Sequence, residues 1–150
     1  EYGLTAVQRM IELAVAEKRP RELVYYLNLL KKHPDPSPRA IYAMTQGYLL
    51  LADYERAGQL AQTIPSNHPL SARAAFIHAT TRVALGKLRE ANDEFAALEA
   101  SLENNDPDGI RDMAIIHQAR ILLELGEIQP AHQAYQRVLR GIVSLQICAH

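Results

Sequence analysis

What most constrains the fold of this 150-residue chain is a phrase that returns at nearly fixed spacing. LADYERAGQLA from Leu51, LGKLREANDEF from Leu85 and LGEIQPAHQAY from Leu125 are variants of one pattern. Aligning them, and extending the alignment to the N-terminal part, puts Leu23, Ala57, Ala91 and Ala131 in one column at spacings of 34, 34 and 40 residues. A second column holds Leu27, Ala61, Phe95 and Tyr135, and a third holds Leu30, Ile64, Leu98 and Val138. Apolar residues at i, i+4 and i+7 define one face of an α-helix, so each phrase opens a helix with a buried stripe.

Ahead of the phrases lie runs such as PRAIYAMTQGYLLLAD (38–53) and IRDMAIIHQARILLELG (110–126), apolar at intervals of three and four, which read as amphipathic helices. Each unit is therefore helix, tight turn, helix. The chain divides into four such units, 4–37, 38–71, 72–111 and 112–145, within one array spanning 1–150. Eight helices are expected, and with no sustained apolar/polar alternation between hairpin turns the fold class is all-α.

Local signals agree with this division. Ser37 offers a capping hydroxyl before Pro38 at a first helical position, and Ser71 is placed to cap a helix from Ala72. Gly86 and Gly126 suit the left-handed conformation past a helix end, and Pro130 falls in the following first turn, where a missing N–H costs nothing. Pro34, Pro36, Pro69 and Pro107 fall between units. The 40-residue spacing predicts an insertion of about six residues, taken up by a longer second helix through EASLENN (99–105) and its loop.

Chemistry-bearing patterns are sparse. No GxSxG, P-loop, HExxH or dinucleotide-type glycine fingerprint occurs, so no catalysis and no cofactor are expected. The histidines His33, His68, His78, His117, His132 and His150 are scattered without ligand spacing, which argues against a metal. His33 and His68 precede prolines in equivalent loops, whereas His78 and His117 read as buried, hydrogen-bonded polar groups. NNDPDG (104–109) spaces its oxygens as a calcium loop does, but Ile115 stands where a bidentate Glu is required, so it reads as a turn. Cys148 alone excludes an internal disulfide and reads as an inert thiol.

Sixteen Lys and Arg against seventeen Asp and Glu leave no charge block that would select nucleic acid or an anionic membrane. No apolar run reaches the ~20 residues of a membrane span. A soluble chain without membrane insertion is expected, with cytoplasm and periplasm both open. The chain lacks an initiator Met and reads as a processed form or excised fragment. Its tail, GIVSLQICAH (141–150), is apolar, which implies a further helix that packs on the array or a contact with another copy.

A unit of about 34 residues, with a small residue opening its second helix, an aromatic four later and a proline near its end, resembles the tetratricopeptide repeat (TPR). GKLREANDEFAAL (86–98) and GEIQPAHQAYQRV (126–138) match best, and DYERAGQLAQTIPSNHP (53–69) keeps Tyr54, Ala57 and Pro69. Departures are Leu23 in place of the small residue, Ala61 in place of the aromatic, and His78, Arg82 and Gln118 in first-helix columns that the family fills with apolar groups. The resemblance implies an α-solenoid of four repeats coiled into a right-handed superhelix, whose first helices line a concave groove.

By the same resemblance the groove-facing columns hold Gln8 and Glu12, then Arg39, Tyr42 and Gln46, then Arg73, Phe76 and Thr80, then Ile116 and Arg120. Arg and aromatic side chains combine contact area with directional hydrogen bonds. Arg39, Tyr42, Gln46, Arg73, Phe76, Thr80 and Arg120 are therefore the expected partner-binding residues. The Lys and Asn clamp by which some relatives hold a terminal carboxylate is not reproduced at Gln8, Glu12, Ala43, Arg73 and Ile77. The expected function is a non-catalytic scaffold binding an acidic peptide or helix of a partner protein. Alternatives are self-assembly through the apolar tail, or an accessory domain of a larger bacterial cell-envelope, secretion or polysaccharide-export machine.

Overall fold

A computed structural model describes residues 3–148. It contains α1 (Leu4–Ala16), α2 (Pro20–Lys31), α3 (Pro38–Leu50), α4 (Tyr54–Ala61), α5 (Ser71–Ala84), α6 (Leu88–Ser101), α7 (Ile110–Glu124) and α8 (Ile128–Cys148), with no strand among the described residues. The even-numbered helices start at residues 20, 54, 88 and 128, reproducing the 34, 34 and 40 periodicity. The insertion falls in the third unit as expected, where α6 has 14 residues against 12 in α2 and 8 in α4.

The joints between paired helices recur at the same spacing. Lys18, Ala52, Gly86 and Gly126 all take left-handed φ, at 54°, 57°, 76° and 79°. At three of them the chain closes with the bonds of a Schellman turn: Arg19 N–H donates to Ala14 C=O, Asp53 to Tyr48 and Glu127 to Leu122. Only the two glycines are visible as joints in sequence, because the other two positions hold side chains that pay for the same conformation.

The chain forms two compact units, one ending at Leu85 and carrying α1–α5, the other beginning at Gly86 and carrying α6–α8. In the first, α1 packs on α2 and α3, α3 on α4, and α4 on α5. Its core runs through Val7, Ile11, Leu23, Leu27, Leu30, Ala40, Ala43, Met44, Tyr48 and Ala57, with a second cluster of Ala61, Ile64, Ala74 and Ile77. In the second, α7 packs on both α6 and α8, around Ile115, Ala119, Ala134 and Val138.

Leu23, Ala57, Ala91 and Ala131 are all fully buried. Leu23 fits in this column because the missing space is supplied across the contact: a Cβ on Gly47 of α3 would lie 3.0 Å from Leu23 Cδ1. The smallness has moved from one helix to its neighbour. Gly58 of α4 does the same for buried Thr81 of α5, whose Oγ1 would lie 2.9 Å from an added Cβ.

Other departures are also accommodated. Gln118, buried on α7, donates through Nε2 to Glu99 Oε2 at 2.7 Å. Arg137 of α8 grips the same carboxylate with Nε at 3.0 Å and a second guanidinium nitrogen at 3.3 Å. His78 and Arg82 are half-buried, and His117 lies half-buried and stacked on Phe95 with ring centroids 5.0 Å apart.

Three expectations need correction. Ser71 is the first residue of α5 and not its cap; Leu70 stands at the N-cap, and His68 Nδ1 accepts from Leu70 N–H at 3.1 Å. The start is thus ordered from the preceding loop. The segment 141–148 forms no separate helix but continues α8, with Ile142, Val143 and Ile147 exposed. His78 and His117, expected to be buried, are half-exposed.

The turn at 104–109 caps a helix. Asp106 accepts from Ile110 N–H at 2.8 Å and Arg111 N–H at 2.9 Å at the start of α7, while Gly109 turns left-handed. Ser37 caps α3 as expected, accepting from Ala40 N–H at 3.2 Å. The Cys148 side chain and His150 lie outside what is described.

Candidate binding groove

The first compact unit carries an open groove of about 860 Å³. Thr5, Gln8, Arg9 and Glu12 of α1 line it, with Ser37, Arg39, Tyr42 and Gln46 at and along α3, and Leu70 and Arg73 at the start of α5. Thr5, Gln8 and Glu12 share one face of α1 because they recur at three and four residues, as do Arg39, Tyr42 and Gln46 on α3. The opposite faces, with Val7, Ile11 and Ala14 or Ala40, Met44 and Tyr48, are pinned in the core. Burial of one stripe thereby aims the other.

Four of the seven sequence-predicted residues, Arg39, Tyr42, Gln46 and Arg73, line this groove. Arg39 and Arg73 are exposed, while Tyr42 is half-buried against the second core cluster, which limits its rotation. Phe76 and Thr80 lie farther along α5, half-buried and outside the lining; Thr80 Oγ1 donates to Phe76 C=O at 2.8 Å. Arg120 is exposed on α7, in the second unit. Sequence reasoning missed Arg9, Thr5, Ser37 and Leu70 as lining residues. Arg9 follows groove-facing Gln8, and Ser37 and Leu70 are the N-caps of lining helices, so helix starts were the available signal.

The groove is electrically uneven. Arg9, Arg39 and Arg73 stand against one carboxylate, Glu12, which accepts from Gln8 Nε2 at 2.9 Å. Neither Arg9 nor Arg39 makes a hydrogen bond or ion pair among the described residues. The first turns of α1, α3 and α5, like that of α8, contain no acidic residue, whereas α2, α4, α6 and α7 carry Glu22, Glu55, Glu90 and Asp112 there. Helix N-termini bear partial positive charge that such acids offset. In the three lining helices that charge is left to add to the arginines.

Among the described residues no cluster of three or more His, Cys, Asp or Glu could hold a metal ion, and no helix is long and apolar enough to cross a membrane.

Comparison with solved structures yields a match to a protein from Podosopora anserina described as a kinesin light chain with nearly identical TPR-like repeats, at a TM-score of 0.76 and 18% identity, covering 95% of this chain and 76% of that one. The fold is TPR-like. At this identity the likeness speaks for architecture and leaves function to the residues themselves. No family model and no curated protein matches the chain. In the TPR-like frame, α1, α3 and α5 are the first helices of their repeats, and the groove lies along them.

Proposed function

We propose that this protein is a non-catalytic interaction scaffold whose TPR-like groove docks an extended acidic segment of a partner protein. The observation that carries the reading is the convergence of Arg9, Arg39 and Arg73 with the held ring of Tyr42 on one open surface. The helices that bear these groups are fixed by core packing before any ligand arrives, which lowers the ordering cost of association. The ring contributes contact area, and the guanidinium groups contribute charge-assisted hydrogen bonds to carboxylates.

Fluorescence anisotropy with a labelled acidic peptide tests this. Binding is expected to weaken as salt rises, and by about tenfold or more in Arg39→Ala/Tyr42→Ala/Arg73→Ala. Unchanged affinity in that triple variant, with its helical circular dichroism intact, overturns the reading.

A second reading, self-assembly, is favoured by one observation on α8. Leu139, Ile142, Val143 and Ile147 are 61%, 45%, 53% and 72% exposed along consecutive turns of the helix. Sedimentation across a concentration series separates the two: a peptide-binding scaffold stays monomeric, whereas association removed by Ile142→Ser/Ile147→Ser assigns the oligomer to α8.

A further inference from the structure

Counted back from the left-handed joints at Lys18, Ala52, Gly86 and Gly126, the first helices of the four pairs share a stripe that opens on alanine in each: Ala6, Ala40, Ala74 and Ala114. In α3, α5 and α7 the stripe packs on the helix before it. Leu23 and Leu27 of α2 lie against Gly47, Gly58 of α4 lies against Thr81, and Glu99 of α6 accepts from Gln118. Ala40, Ala74 and Ala114 are accordingly buried, and Ala6 is exposed. On α1 the stripe continues through Met10 and Leu13, 37% and 47% exposed and outside the groove lining.

The other half of this contact is open on α8. Counted forward from the joints, Leu139 and Ile142 stand where α6 has Glu99 and Leu102. Glu99 is turned to α7 and Leu102 is buried, whereas Leu139 and Ile142 are exposed. Terminal units of a helical array ordinarily present polar outer faces. Here both open faces are apolar.

The two faces also match each other. Between α6 and α7 the facing columns hold Glu99 and Gln118, polar against polar at 2.7 Å. In the same columns the open faces hold Leu139 on α8 and Met10 on α1, apolar against apolar. Two helices that never meet need no such agreement. Two that meet do, because a Glu or Gln closed against an apolar face is buried without a partner.

Resting on the second reading above, self-assembly, we infer that the occupant of the α8 face is α1 of a second copy, seated head to tail as α7 is seated on α6, with Met10 against Leu139. Leu13 then takes the column of Ile121, and Tyr135 that of Phe95. The contact joins two different surfaces, unlike a two-fold pairing of α8 with itself.

Two variants divide it. Met10→Gln/Leu13→Gln closes the α1 face, and Leu139→Gln/Ile142→Gln closes the α8 face. All four positions are exposed, so helical circular dichroism should match the parent, and the single changes Leu13→Gln and Leu139→Gln probe the same contact more gently. In sedimentation across a concentration series the parent is expected to associate, and each variant alone to need about tenfold or more protein to do so. Mixed in equal amounts, the two variants should pair at concentrations close to the parent's, because one keeps its α8 face and the other its α1 face.

Association abolished by closing one face and untouched by closing the other means that the first face pairs with itself; that overturns the head-to-tail contact and leaves self-assembly standing. Variants that fail to pair when mixed, or that both associate as the parent does, overturn it as well. A parent that stays monomeric overturns the self-assembly reading and this inference together, and leaves the two faces to other chains.

Discussion

At the scale of single residues, the informative positions are those where a side chain occupies a conformation that favours glycine. Ala52 holds φ at 57° in a joint where Gly86 and Gly126 serve elsewhere, and its side chain is exposed, so no packing depends on it. Left-handed backbone costs an L-residue about 1–2 kcal/mol, while glycine costs about 0.5–1 kcal/mol in unfolded-chain entropy. Ala52→Gly is expected to stabilise by about 0.5–1 kcal/mol in urea denaturation; a loss of stability would show that the joint is not under strain.

His117 gives a second residue-scale prediction. Burial, and then the neighbouring Arg120 charge, hold its pKa below the ordinary imidazole value. The unfolded chain therefore takes up a proton first as pH falls. Stability present above about pH 6.5 is lost as pH drops through the folded value, and denaturation midpoints of the parent should fall more steeply below that pH than those of His117→Gln. Parallel profiles would remove the linkage.

At the scale of elements, small residues where helices cross decide how closely neighbours pack. Ala91 is fully buried at the small position of α6, so Ala91→Leu should overpack the contact and cost about 1–3 kcal/mol by thermal melting. Gly58→Ala sets two effects against each other. Alanine gains about 1 kcal/mol in helix propensity, but its Cβ would meet Thr81 Oγ1, a buried hydroxyl that donates to His78 C=O.

Because the hydroxyl is buried and bonded, the clash should win and the variant should melt lower than the parent. In a Thr81→Ala background the same change should be neutral or stabilising. If Gly58→Ala costs the same in both backgrounds, the contact is not what limits α4 against α5.

These elements also show what was legible beforehand. The helical columns announced themselves because burial repeats with the helical period, and the repeat length followed. Leu23 read as a departure because compensation by Gly47 crosses from one repeat to the next, and a comparison of columns cannot see across that contact. The Asp106 cap was hidden for a related reason: the side chain reaches forward over a proline and a glycine to N–H groups whose helix start was not fixed in advance.

At the scale of the whole molecule, the TPR-like helical pairs of the first unit present a groove along α1, α3 and α5 lined by three arginines and one carboxylate. Its arginine and tyrosine positions were legible because core-facing columns fix the opposite face of each helix. Arg9 was not, since it flanks the groove stripe of α1 on the side away from the core, on the exposed face that the column rule leaves unassigned. Backbone amide chemical-shift mapping of the labelled protein, titrated with an acidic peptide, tests the central claim most directly. Perturbations concentrated at Gln8, Glu12, Arg39, Tyr42 and Arg73 are predicted; shifts confined to α8, or spread evenly over the chain, would contradict it.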